Sequence, residues 1–290
     1  MKTRFALALA ASVLTTVACG SSDEPQDIDV CTTQAAYSKP GPYVAGVTTL
    51  DVDGVKVEVW YPADKGTEAG KKKDVYDMRD WLPADQKSKV LDADKPFFET
   101  NAYRELPISA KSKYPVVLFS HGLGGYRLQS SFLTSHLASW GFVVVAPDHV
   151  ERGLAIVLGG DSSKIEDKAP AQLRAALARM KTENGSGRFA GRLDLAHVAV
   201  SGHSQGGAAV STVLDDAEIS AGVFLASPGF GESPVGKSIL MGWGTADRVA
   251  KESSVLQNFD KQPVGARGVG FRGVGHMGFT DLCRIAEDKG

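Results

Sequence analysis

Apolar and polar residues alternate through Thr48-Thr49-Leu50-Asp51-Val52 and again through Val55-Lys56-Val57-Glu58-Val59-Trp60-Tyr61-Pro62. Asp53-Gly54 stands between the two runs. A period of two interrupted by an Asp-Gly pair predicts an antiparallel hairpin. Further on the pattern changes. Pro115–Ser120 and Gly141–Pro147 are continuous apolar runs, as strands buried on both faces require. Ala196–Val200, Ser220–Leu225, Lys237–Trp243 and a Gly-interrupted run over Ala266–Gly273 are four further strands. Helices are expected over Ser131–Trp140, over Ala169–Lys181 (apolar at Leu173, Ala176, Leu177 and Met180) and over Thr280–Glu287. Strand and helix alternate, which predicts an α/β fold with a mostly parallel sheet and helices on both of its faces. Residues 63–113 are polar with scattered aromatics, and 150–192 are also without a chemical signature. Either stretch could fold over a cleft as a wall or lid, and the first could carry a short helix or two.

The beginning of the chain follows a different pattern. Met1-Lys2-Thr3-Arg4 is basic, Phe5–Val17 is apolar apart from Ser and Thr, and small residues lead to Val17-Ala18-Cys19-Gly20. This is the form of an export signal over residues 1–18, too short to span a bilayer. Its end resembles a bacterial lipoprotein signal, which would make Cys19 the lipidated first residue; Thr16 stands where such signals usually carry Leu. An ordinary secretory signal is the alternative. Residues 19–40 then form a polar tether and 41–290 the folded domain. The protein is expected to be exported, either anchored to a membrane or free.

About 260 residues remain, enough for one large core. Losing Lys2 and Arg4 takes the formal charge from −2 to −4, so there is no basic face for nucleic acid. Cys31 and Cys283 form an even pair in an exported chain, and a disulfide between them is expected over two free thiols. Closing so long a loop would contribute about 4 kcal/mol in the chain-entropy picture.

The chemistry concentrates at Gly202-His203-Ser204-Gln205-Gly206. A strand precedes this G-x-S-x-G sequence and a small-residue helix follows it, the context of the nucleophile elbow of an α/β-hydrolase. A serine hydroxyl needs a general base, and in this fold the order along the chain is Ser, then acid, then His. Of six histidines only His276 follows Ser204. Among the carboxylates between them, Asp247 stands just beyond a buried strand, at the sheet edge where catalytic groups collect. The oxyanion hole is expected from the backbone amides of Gln205 and of Leu123, the latter in the loop Ser120-His121-Gly122-Leu123-Gly124-Gly125-Tyr126. His121 and His203 are assigned to holding loops. No metal motif is present and no cofactor is expected.

Pro115–His149, with His121-Gly122-Leu123-Gly124-Gly125, Leu137–Val144 and Pro147-Asp148-His149, resembles the platelet-activating-factor acetylhydrolase group of α/β-hydrolases and is also similar to bacterial cutinases and polyester hydrolases. Gly41-Pro42-Tyr43 and Val59–Pro62 match the opening of the former. The resemblance implies a metal-independent serine esterase with Ser204, His276, Leu123 and Gln205 in these roles. Acetylhydrolases of the plasma type carry their acid after the strand following the elbow helix, where this chain has Ala226-Ser227; cutinase-like enzymes carry it one strand later, at Asp247. The expected substrate is a small-molecule or polymeric ester, and the expected state a monomer. A peptidase or thioesterase on the same triad, or a non-catalytic surface lipoprotein retaining the fold, are the alternatives.

Overall fold

The computed structural model describes residues 3–7, 37–159, 163, 165–228 and 231–289. Cys19, Cys31 and nearly all of the expected leader and tether lie outside them. Ten strands form one sheet: β1 (Thr3–Leu7), β2 (Val44–Val52), β3 (Val55–Ala63), β6 (Ala102–Arg104), β7 (Tyr114–Ser120), β8 (Val143–Pro147), β9 (Leu193–His203), β10 (Ile219–Leu225), β11 (Ser238–Gly244) and β12 (Arg267–Phe271). Their order is β1-β12-β11-β10-β9-β7-β8-β3-β2-β6. Every pair from β1 to β8 is parallel. The hairpin β2–β3 joins β8 antiparallel, with Val52 opposite Val55 across the turn. Asp53 and Gly54 both adopt positive φ there, which is the twist a two-residue hairpin needs. This is the α/β-hydrolase architecture with its N-terminal antiparallel hairpin.

The helices are α1 (Ala84–Lys87), α2 (Ser131–Ser139), α3 (Leu154–Leu158), α4 (Ala169–Ser186), α5 (Gly206–Val213), α6 (Glu252–Phe259) and α7 (Leu282–Lys289). The central strands bury both faces by simple alternation. Val116, Leu118, Val143 and Val145 pack with Leu173, Met180, Val210 and Phe259 of α4, α5 and α6. Their neighbours Val117, Phe119, Val144 and Ala146 point the other way, towards Ala138 of α2 and a cluster of Tyr76, Trp81, Phe98 and Tyr126.

Residues 63–113, where the sequence suggested only short helices, also carry a two-stranded sheet, β4 (Val75–Asp77) with β5 (Phe97–Glu99), and the edge strand β6. These elements are three residues long and have no period to read. Trp81 fastens the insertion: its Nε1 donates to Asp148 Oδ2 at 2.8 Å, and its ring lies between Tyr126 and the Arg127 guanidinium. Cys283 is exposed, and no partner for it is among the described residues.

Candidate active site

β9 ends at His203, and Ser204 turns the chain into α5 with φ at +53°. A side chain rarely adopts this conformation, which costs roughly 1–2 kcal/mol. Tertiary contacts hold it there. Ser204 N–H donates to Leu225 C=O on β10, and Gly207 N–H donates back to Ser204 C=O. A Cβ on Gly206 would lie 2.1 Å from the Ser120 carbonyl oxygen, so the elbow seats directly on the end of β7.

Ser204 Oγ lies 2.9 Å from His276 Nε2, and His276 Nδ1 lies 2.8 Å from Asp247 Oδ2. The three residues named from the sequence therefore meet. Asp247 is buried beyond the end of β11, and its other oxygen accepts from the amides of Val249 and Ala250 at 2.8 and 2.9 Å. The carboxylate is fixed in place, so His276 carries its proton on Nδ1 and turns a bare Nε2 towards the serine hydroxyl. The His276 side chain is 14 % exposed, enough to meet a substrate.

The ring of His203 lies 5.0 Å from that of His276 and anchors its loop. Its Nε2 donates to the His276 carbonyl at 3.1 Å, and its Nδ1 accepts from Gln129 Nε2 at 3.2 Å. Both nitrogens are committed and burial lowers its pKa to about 4, so His203 is neutral and is not a rival base.

The Gly-rich loop after β7 crosses above the serine: a Cβ on Gly122 would sit 3.0 Å from Ser204 Cβ. His121 is wholly buried, with its pKa lowered by desolvation to about 4. Its Nε2 accepts from His149 N–H at 2.9 Å, so the ring proton resides on Nδ1, which donates to Gly122 C=O at 2.9 Å. Gly125 N–H donates to the same carbonyl at 3.1 Å. In a trans peptide C=O and N–H point in opposite directions, so holding Gly122 C=O turns the Leu123 N–H outwards. Among the described residues neither the Leu123 nor the Gln205 amide has an internal acceptor. The Leu123 side chain is exposed, and so are Val157, beside Gly124, and Met277, next to His276. Apolar side chains are thus exposed along the Gly-rich loop and beside His276.

Sequence reasoning overlooked Arg152. It is fully buried beneath this loop and donates from Nη2 to Ser120 Oγ at 2.8 Å and to His121 C=O at 2.7 Å. A lone Arg between Glu151 and Gly153 gives no sequence signal of burial.

Comparison with known proteins matches residues 33–183, just over half the chain, to the family described as platelet-activating factor acetylhydrolase, isoform II. That stretch holds the hairpin and the Gly-rich loop and ends before Ser204. The chain is also similar to the platelet-activating factor acetylhydrolase of Cavia porcellus, 43% identical over 49 residues, and to that of Canis lupus familiaris, 46% over 43. These segments cover 17% and 15% of this chain, and 11% and 10% of those proteins.

Proposed function

The chain belongs to the platelet-activating factor acetylhydrolase, isoform II, family, and from that premise we propose that it is an exported serine hydrolase of carboxylic esters working through an acyl-enzyme. The observation that carries this reading is the relay Ser204–His276–Asp247, with 2.9 and 2.8 Å between its members. His276 Nε2 takes the Ser204 proton as Oγ adds to the ester carbonyl. The carbonyl oxygen becomes the oxyanion held by the Leu123 and Gln205 amides. The C–O bond to the leaving alcohol then breaks, and His276 returns the proton to that oxygen. Water repeats the sequence on the acyl-serine, releasing the acid and restoring Ser204. Asp247 orients the imidazole and stabilises its charged form throughout.

The exposed apolar side chains of Leu123, Val157 and Met277 suit an ester with a hydrophobic acyl or alcohol part. The names of the two relatives make acetyl esters the first substrates to try. The acid position favours the cutinase-like branch, because β10 ends at Leu225 and Ala226-Ser227 follow it without a carboxylate. Removal of residues 1–18, and β1 with them, belongs to the same proposal; export also permits lipidation of Cys19, with an ordinary secretory signal as the alternative, and a Cys31–Cys283 bridge.

A fluorescent fluorophosphonate is expected to label the protein, and Ser204→Ala to abolish both the label and turnover of p-nitrophenyl acetate and butyrate. Undiminished labelling of Ser204→Ala would sink the assignment.

A further inference from the structure

We infer that Arg152 is a positioning residue that sets the direction of the Leu123 amide, an inference that rests on the ester-hydrolase reading of the site. Its burial is poorly explained by stability. Among the described residues the guanidinium has one ion-pair contact, with Asp167 at 3.1 Å, and that carboxylate is 38 % exposed. Among the described residues its Nε has no hydrogen-bond partner. Desolvation lowers the Arg152 pKa, the mark of a charge held where it is costly. Apolar side chains of similar volume commonly serve such a position as well or better.

Apart from Asp167, the acceptors of its guanidinium and the donor to its carbonyl among the described residues fall on one short stretch of chain, 120–124. Its Nη2 fixes His121 C=O, which belongs to the peptide between His121 and Gly122. Its own carbonyl accepts from Gly124 N–H at 2.8 Å, which belongs to the peptide between Leu123 and Gly124. The peptide between these two carries the Leu123 N–H. Arg152 therefore holds the units on both sides of the proposed oxyanion donor, one with its side chain and one with its backbone.

The guanidinium also touches the loop's support. Glu151 accepts from Gln172 Nε2, so Gln172 Oε1 accepts from His149 Nδ1–H. That leaves His149 Nε2 to accept from the Ser120 hydroxyl at 2.9 Å, and Ser120 Oγ to accept from Arg152 Nη2 at 2.8 Å. The backbone N–H of His149 fixes the His121 tautomer, and His121 Nδ1 holds Gly122 C=O. The side-chain series ends on Glu151, while the separate support through the His149 N–H and His121 ends on the peptide carrying Leu123 N–H.

The test compares wild type with Arg152→Met, Arg152→Lys and Ser120→Ala on p-nitrophenyl butyrate, normalised to sites titrated by fluorophosphonate. A trifluoromethyl ketone, whose adduct with Ser204 bears an oxyanion, is measured alongside. In Arg152→Met, kcat per titrated site is expected to fall roughly 10- to 100-fold, somewhat less than for complete loss of an oxyanion donor, with KM within about threefold of wild type. Ketone affinity should weaken by a similar factor. Arg152→Lys, which keeps the charge but reaches fewer acceptors, should recover part of both. A purely structural role would instead lower the number of titratable sites and leave kcat per site and ketone affinity unchanged, and that result overturns the proposal. If neither Arg152 variant folds, Ser120→Ala decides, because it removes one of the two acceptors of Nη2: a several-fold loss of both quantities supports the proposal, and no loss overturns it. A wild-type protein without ester turnover or Ser204-dependent labelling would overturn the site reading itself, which the variants' behaviour cannot do.

Discussion

Ser204 stores strain that can be measured apart from its chemistry. At φ +53° a Cβ is unfavourable whatever else the side chain carries. Ser204→Gly and Ser204→Ala both remove the hydroxyl and its contact with His276, and they differ only in that Cβ. Ser204→Gly is therefore expected to be the more stable of the two by about 1 kcal/mol, the reverse of the usual order, because glycine reaches this region without steric cost. Urea midpoints of the two inactive proteins check it; equal midpoints would mean that the elbow is unstrained. At this scale the sequence was informative where chain order constrains geometry. Ser204 was marked by its flanking strand and helix, His276 by being the sole histidine after it, and Asp247 by its place beyond a buried strand. Arg152 was hidden because a buried cation and a solvated one look alike in a sequence; only the packing of the turn after β8 against the Gly-rich loop buries it.

Among the elements, those buried on two faces were the easiest to foresee. β7 and β8 are continuous apolar runs because each contributes to both cores, with Val116 and Leu118 on one side and Val117 and Phe119 on the other. The insertion carrying β4 and β5 was illegible for the opposite reason. Its apolar anchors Tyr76, Trp81 and Phe98 are separated in sequence and become a cluster only where Tyr76 meets Trp81, Phe98 and Tyr126. Ion pairs secure what apolar area does not: Arg104 clamps Asp74 through two hydrogen bonds of 2.7 Å and lies 2.8 Å from buried Glu58. At the start of α5 packing overrides helix propensity. Gly206→Ala would gain at most ~1 kcal/mol in propensity. The added methyl would meet the Ser120 carbonyl oxygen at 2.1 Å and push the helix off β7. A net loss of roughly 2–3 kcal/mol is expected in urea unfolding, with a fall in kcat as the Gln205 amide shifts. A stabilised variant would mean that α5 is free to move away from β7.

For the whole molecule the buried histidines make stability depend steeply on acidity. His121 and His203 are held at about 4, and His149 well below its ordinary value, chiefly by burial. Each ring uses one nitrogen as an acceptor, so protonation would break the contacts that hold the loops around Ser204. Unfolded, these groups bind protons near pH 6.5. Between that value and pH 4 the unfolded chain holds more protons than the folded one, so stability falls as the pH falls. His121 and His203 each account for about 3 kcal/mol by pH 4, and His149 adds to them. Asp281 opposes them, since burial raises its pKa and acidification relieves that cost. It is a single carboxylate that three hydrogen bonds keep from rising further. The carboxylates of Asp51, Asp64 and Asp77, lowered by Lys56, Lys111 and Arg79, enter only below about pH 4. The histidine sum is comparable to the whole stability of an ordinary domain, roughly 5–15 kcal/mol. The protein is therefore expected to unfold in acid before pH 4, with its denaturant midpoint dropping steadily from pH 6.5 and two to three protons taken up per molecule unfolded near pH 5. Fluorescence-detected urea titrations across that window supply the first quantity and calorimetry in buffers of different ionisation enthalpy the second. A midpoint that stays level from pH 6.5 to 4.5 would mean that these imidazoles take up protons in the folded state, and the loops they hold could not then have the tautomers assigned here.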